Sequence, residues 1–302
     1  MAFVLANPVT LARDVWPGDK GRMRSDTSDR HSLPAHRVVP DTYEDLCDWL
    51  CVDPCGIDSA AFVWLHPDLV GEDVRVEMTM RLQGFVESVS LGMLGNWNGT
   101  PQGAPKALQT LTLVSGGCHD AFDPQVAALD NVRELVLKLL SRTAVDSPTD
   151  GKIHLRRRAY DRVRPGDDKS SNIRVPLADD PVGRAKRMED MWAVRHRIDV
   201  GIQRDDGRIQ RENPRVIRPG DFVDVAVTVQ AVSIRLPRGR RGLDVMFVPH
   251  TVIRLASAQE SVALLHAIEI EAEARQPVED VVAVTRDVGF TFDGDGEEMA
   301  EQ

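Results

Sequence analysis

The sequence predicts an α+β chain: a mixed α/β N-terminal part, then an antiparallel β-meander, barrel-like, closed by a C-terminal helix. Three observations predict it. Helix and strand signals alternate through the first half. The strongest is Asp123-Pro124 ahead of Leu129, Val132, Val136, Leu139 and Leu140 at helical spacing. From Trp192 the hydrophobic period switches to two and holds through two long runs. Between the halves, residues 146–190 are dense in Pro, Gly, Asp and basic residues, as a domain junction is.

Taken in order, residues 1–40 predict a flexible N-terminal segment, polar from residue 13 and without sustained periodicity. A mixed α/β domain is expected over 41–145. Asp41 or Thr42 caps a helix that reaches Cys51, with Leu46, Trp49 and Leu50 on one side and Asp53-Pro54 ending it. Residues 60–65 are short and apolar, a buried strand or a helix fragment. Residues 74–80, 85–91 and 108–114 read as strands, with a Gly/Pro-rich loop before the last. Asp at the cap and Pro at the first helical position then open a helix to about Arg142.

Three segments of this half, 86–91, 108–113 and 132–137, fit L-x-x-L-x-L at spacings of 22 and 24 residues. They look like leucine-rich-repeat strands. The Asn or Cys step of such repeats is missing, and the third segment overlaps the helix.

Residues 191–292 predict an antiparallel β domain with a C-terminal helix. Trp192, Val194, His196, Ile198, Val200 and Ile202 alternate as one long strand, followed by an Asp205-Asp206-Gly207 turn. A second strand places Val223, Val225, Val227 and Val229 on one face and Asp224, Ala226, Thr228 and Gln230 on a solvated one. The loop Pro237–Gly242 leads into a third strand, in which Pro249 demands a bulge or an edge position. This meander is loosely similar to an OB-type barrel, although no residue signature carries the likeness. Ser257-Ala-Gln-Glu260 is a capping box for a helix to about Arg275. Short closing strands are expected at 281–284 and 290–292, and residues 293–302 form an acidic tail.

Charge is segregated along the chain. The overall net charge is −10, but residues 1–150 carry −9, residues 151–255 carry +9 and residues 256–302 carry −10. Such asymmetry points to an anionic partner for the middle segment, or to neutralisation of its acidic flanks within one fold. Guanidinium forks suit phosphate. The candidate anion-binding residues are Arg235, Arg238, Arg240 and Arg241 around one hairpin tip, Arg195 and Arg197 on the first meander strand, and the run Arg156, Arg157 and Arg158. Aromatic residues are scarce in the meander, which counts against a base-stacking platform there.

Catalytic signatures are missing: the sequence has no P-loop, G-x-G-x-x-G, H-E-x-x-H or G-x-S-x-G. Cys47, Cys51 and Cys55 lie four apart and Cys118-His119 could complete a zinc set, but there is no C-x2-C knuckle, so core thiols without metal are expected. No cofactor is predicted. Apolar runs fall short of the ~20 residues of a membrane span, and the N-terminus lacks a signal-peptide pattern, which points to the cytoplasm or nucleus. The leading expectation is a non-enzymatic binding protein whose basic β domain contacts nucleic acid or another polyanion. Behind it stands a protein-interaction subunit or homo-oligomer, with a degenerate leucine-rich N-terminal region, whose charged segments pair; an unrecognised enzyme comes third.

Overall fold

The computed structural model describes residues 1–24, 26, 28–53, 61–71, 73–140, 150–235, 241–263 and 265–266. Its first half contains β1 (Ala2–Asn7), β2 (Thr10–Leu11), β3 (Val38–Val39), α1 (Tyr43–Trp49), β4 (Leu50–Val52), β5 (Ala61–Leu65), α2 (Pro67–Val70), β6 (Thr79–Ser90), β7 (Leu108–Val114) and α3 (His119–Leu139). The second contains β8 (Ile153–Arg158), β9 (Asp161–Arg162), β10 (Trp192–Ala193), β11 (Asp199–Gln203), β12 (Ile209–Glu212), β13 (Phe222–Arg235) and β14 (Arg241–Ala256). Residues 258–263 and 265–266 are helical (α4). Twelve strands join one mixed sheet and β9 pairs with β10 in another, so the chain is α+β.

Several local signals act as expected. The Thr42 hydroxyl caps α1, accepting from the Asp45 amide at 3.1 Å and donating to the Asp45 carboxylate at 2.7 Å. The Ser257–Glu260 capping box forms, with the Ser257 amide donating to the Glu260 carboxylate at 2.7 Å. Gly207, at φ 83°, closes the β11–β12 turn. In β14 the register slips beside Pro249: Val227 pairs with Pro249 and Ala226 with Thr251, so His250 bulges out.

Other elements differ from expectation. Of the strand expected at 74–80 only Thr79 and Met80 are strand, with an isolated bridge at Glu77. They continue through the buried and paired Arg81 and Gln83 into the strand expected at 85–91, and the whole is β6. α3 begins at His119, one turn before Asp123-Pro124, and Pro124 costs it only the bond to the Asp120 carbonyl. The leucine-rich pattern forms no solenoid: β6 and β7 are antiparallel, and the third segment lies inside α3. The long strand expected over 192–202 is split into β10 and β11. β11 runs parallel to β14 rather than antiparallel to β13.

β13 is central to the sheet. It pairs antiparallel with β14 along its length, with β6 from Phe222↔Phe85 to Thr228↔Thr79, and with β5 at Gln230↔Phe62. Strands of both halves therefore share one sheet. Val223, Val225, Val227 and Val229 are fully buried with Met80, Leu82, Leu111, Leu113, Ile153 and Leu155. At roughly 25 cal/mol per Å² of apolar surface, this core is the main stabilising term.

The other face of β13 is also covered, which corrects the expected solvated side: Phe222, Asp224, Ala226 and Thr228 are buried. Its cover over Phe222 and Asp224 is the segment expected to be a flexible lead-in. Trp16 packs edge-on to Phe222 at 4.8 Å and Phe85 at 6.0 Å. Arg81 grips Asp224 through two bonds, Nε to Oδ1 at 3.0 Å and Nη2 to Oδ2 at 2.6 Å. Asp26 joins Arg81 to the buried Arg13, and Gln83 donates to Asp224 and to the Gly21 carbonyl, each at 2.6 Å. A β-carbon on Gly21 would lie 2.1 Å from the Arg13 carbonyl oxygen, so only glycine lets the chain approach this closely. The polar composition that reads as solvated thus belongs to a buried network of ion pairs and hydrogen bonds, in which Arg13 Nε and Gln83 Oε1 are left without a hydrogen-bond partner among the described residues.

Candidate nucleic-acid interface

β7 and β8 pair antiparallel from Leu108↔Arg158 to Leu113↔Ile153. Alternation buries Gln109, Leu111 and Leu113 with Ile153, Leu155 and Arg157. Thr110, Thr112, His154, Arg156 and Arg158 share the opposite, more exposed face. Arg158 is exposed and has no ion-pair partner among the described residues. Arg156 reaches both oxygens of Asp244 on β14, at 3.0 and 3.2 Å. Arg133 on α3 stands near this pair, its guanidinium 5.4 Å from the Phe247 ring centroid. Burial lowers its pKa, against the pull of Asp130 and Asp244.

Besides Arg156, two expected ligand-binding arginines are already committed to the fold. Arg157 is buried, and its Nη1 donates to the Pro249 carbonyl at 3.0 Å. Burial lowers its pKa, while Asp161 and Glu77 act the other way. Beside it the Thr228 hydroxyl and His250 Nε2 are 2.8 Å apart, and His196 Nε2 lies 3.4 Å from Asp161. Burial, then Arg157 and His196, push His250 down to about 4, so it is neutral at pH 7. Arg195 is held by Asp167 at 2.8 Å and by Asn172 at 3.4 Å. Arg197 is exposed without an ion-pair partner among the described residues. Arg235 and Arg241 are Cα partners at the end of the β13–β14 hairpin; Arg238 and Arg240 lie outside the described residues.

The loop from residue 91 to residue 107 joins β6 to β7. Met93, Leu94 and Trp97 fold it onto a small second core of Ala159, Tyr160, Ala185, Met188 and Val194. Trp97 meets Tyr160 edge-on at 5.3 Å and donates Nε1–H to the Thr100 carbonyl at 2.8 Å. The loop presents an exposed Lys106 next to β7, a basic position the charge arithmetic overlooked. Also overlooked was Phe62. The run 60–65 read as a buried strand or a helix fragment; in β5 its Phe-x-Trp alternation turns Phe62 outward at 39% exposure.

The cysteines are dispersed. Cys118 is buried, and burial pushes its thiol up to about 11. Cys47 is exposed on α1 instead of lying in the core, because it falls on the helix face away from Leu46 and Trp49. Cys55 lies outside the described residues. Among the described residues no three His, Cys, Asp or Glu side chains group as a metal site, and no helix is long and apolar enough to cross a membrane. No protein-family model matches the chain, and no curated protein matches it.

Proposed function

We propose that the chain is a non-enzymatic nucleic-acid-binding protein whose anion-binding face is built on an OB-type barrel of β6, β7, β8, β14 and β13. Strand order supports it. β6 pairs with β7, β7 with β8, β8 with β14, β14 with β13 and β13 with β6, all antiparallel except β8 and β14. Five-stranded Greek-key barrels of this type are partly open, in keeping with the single Leu155↔Phe247 pair between β8 and β14.

Such barrels take oligonucleotides or oligosaccharides on their second and third strands and on two loops, first-to-second and fourth-to-fifth. In this order the second and third strands are β7 and β8, which carry Arg156 and Arg158. The first of the two loops is 91–107, with Lys106. The second is 236–240, with Arg238 and Arg240 between Arg235 and Arg241. Of the arginines singled out by charge, Arg156, Arg158, Arg235, Arg238, Arg240 and Arg241 fall on these strands and this loop or its ends, whereas Arg157 is buried and Arg195 and Arg197 lie off the five strands. Their fork geometry and the +9 of residues 151–255 favour a phosphate backbone over a neutral sugar.

The test is a titration of the full chain with single- and double-stranded DNA and RNA from about 50 to 500 mM salt. Replacing Arg238, Arg240 and Arg241 together by Ala is expected to weaken binding to all sequences alike. The log–log salt slope should flatten by roughly one unit for each phosphate that is no longer neutralised. Wild-type protein with no affinity for any of these ligands near 50 mM salt would overturn the proposal.

A further inference from the structure

We infer that Phe62, Trp64 and Arg75 form a stacking platform for unpaired bases, so that the nucleic acid bound is single-stranded; this rests on the nucleic-acid reading above. β5 buries Val63 and Leu65 and turns Phe62 and Trp64 to the other face. The two rings lie 6.2 Å apart at an interplanar angle of 48°. Arg75 extends the row of flat groups, its guanidinium 5.8 Å from the Trp64 ring centroid. An ion pair with Asp53 at 2.6 Å holds it there, although its side chain is 71% exposed.

The surroundings are polar. Strand pairing sets Gln230 of β13 opposite Phe62, and Glu77 and Cys51 flank Trp64. A 39%-exposed phenylalanine beside a tryptophan and a held guanidinium adds nothing to the core below, which Val63 and Leu65 already fill. Chemically the group matches what single strands offer. Every unpaired base has two flat faces that stack on aromatic rings and on arginine. Paired bases in a duplex present only edges to a protein, so the platform discriminates against them. Stacking on Phe62 and Trp64 acts between uncharged rings, so the Asp53 and Glu77 carboxylates oppose it less than they would a direct phosphate contact, and Asp53 is itself neutralised by Arg75.

The platform also adjoins the proposed barrel. β13 carries Gln230 beside Phe62 and continues to Arg235 at the hairpin end. Five residues of strand span roughly 17 Å, so a strand stacked on Phe62 stays close to that end.

The experiment uses the full chain with labelled oligo(dT) and a duplex of equal length, each titrated across salt. Wild type, Phe62→Ala, Phe62→Tyr and Arg75→Gln are compared, with thermal melts as a folding control. Phe62→Ala is expected to weaken oligo(dT) binding roughly 5- to 100-fold at unchanged salt slope. Phe62→Tyr should bind like wild type, and Arg75→Gln should fall between. Duplex binding should be weaker than oligo(dT) binding and indifferent to Phe62→Ala. If wild type binds oligo(dT) and Phe62→Ala binds it within twofold, the platform is wrong and the nucleic-acid reading stands. Equal losses on oligo(dT) and duplex also overturn stacking on unpaired bases. If wild type binds neither probe, both proposals fall together.

Discussion

Asp224→Ala should destabilise this protein more than any surface ion-pair deletion. The Asp224 side chain is 3% exposed and that of Arg81 is 7% exposed. Arg81 contacts Asp224 through two bonds, and Gln83 donates to the same carboxylate. Together with Arg13 and Asp26 the cluster is charge-neutral, two cations against two anions. Removing Asp224 alone leaves a buried guanidinium short of one partner, which costs about 3–5 kcal/mol in such settings. Against a total stability of roughly 5–15 kcal/mol that is a large fraction. At roughly 2–4 °C per kcal/mol for a chain of about this size, Tm should fall by about 6–20 °C. Asp53→Ala, which breaks the exposed pair with Arg75, should cost about 0–1 kcal/mol. Urea unfolding compares the two at matched m-value. A paired replacement, Arg81→Met with Asp224→Leu, removes one charge of each sign, and buried pairs exchanged in this way often recover or exceed wild-type stability. Asp224→Ala within about 1 kcal/mol of wild type, or a double variant no better than the single one, would refute the buried-network account.

The other predictions concern protonation and thiols. His250, held near 4 when folded, titrates near 6.5 in the unfolded chain. The unfolded state therefore binds the extra proton as pH falls through this window, so stability drops between about pH 6.5 and 4 and levels off below. Urea midpoints across that range should show a shallower pH slope for His250→Gln; an unchanged slope would exclude His250 as the source. For the thiols, Cys47 is expected to react with a thiol reagent at pH 8 in the folded protein. Cys118, buried and raised to about 11, should react only on unfolding. A Cys55→Ser background and mass spectrometry of the labelled peptides separate the sites, and fast native labelling of Cys118 would contradict its placement.

What the sequence made legible was local. Thr42 and Ser257 announce their helix caps, Asp205-Asp206-Gly207 its turn, Pro249 its bulge, and the four valines of β13 their buried face. Pairing was not legible, because period-two alternation marks a strand without naming its neighbour. Arg81 and Asp224 lie 143 residues apart, and neither residue signals the other. The same blindness left Arg-Leu-Gln-Gly at 81–84 between two separate strands and made residues 1–40 look like a flexible leader. In both places polar side chains that read as solvent-facing, among them Arg13, Asp26, Arg81 and Gln83, instead meet partners elsewhere in the chain.

Charge arithmetic has a similar limit, and it sharpens the binding proposal. A surplus of +9 over residues 151–255 counts every arginine equally, whereas the fold does not. Arg156 meets Asp244, Arg195 meets Asp167, and Arg157 is buried on the Pro249 carbonyl near Glu77 and Asp161. These cations can release few counterions, because protein carboxylates or burial already stand where salt ions would. Among the described residues, Arg158, Arg197 and Lys106 are exposed and have no ion-pair partner, which leaves them to carry phosphate contacts. The salt slope should accordingly respond to Arg158→Ala and scarcely to Arg195→Ala, although composition alone ranks the two residues as equals. Equal reductions of slope at both positions would mean that the Arg195–Asp167 pair opens on binding, and that the free protein understates its anion-binding face.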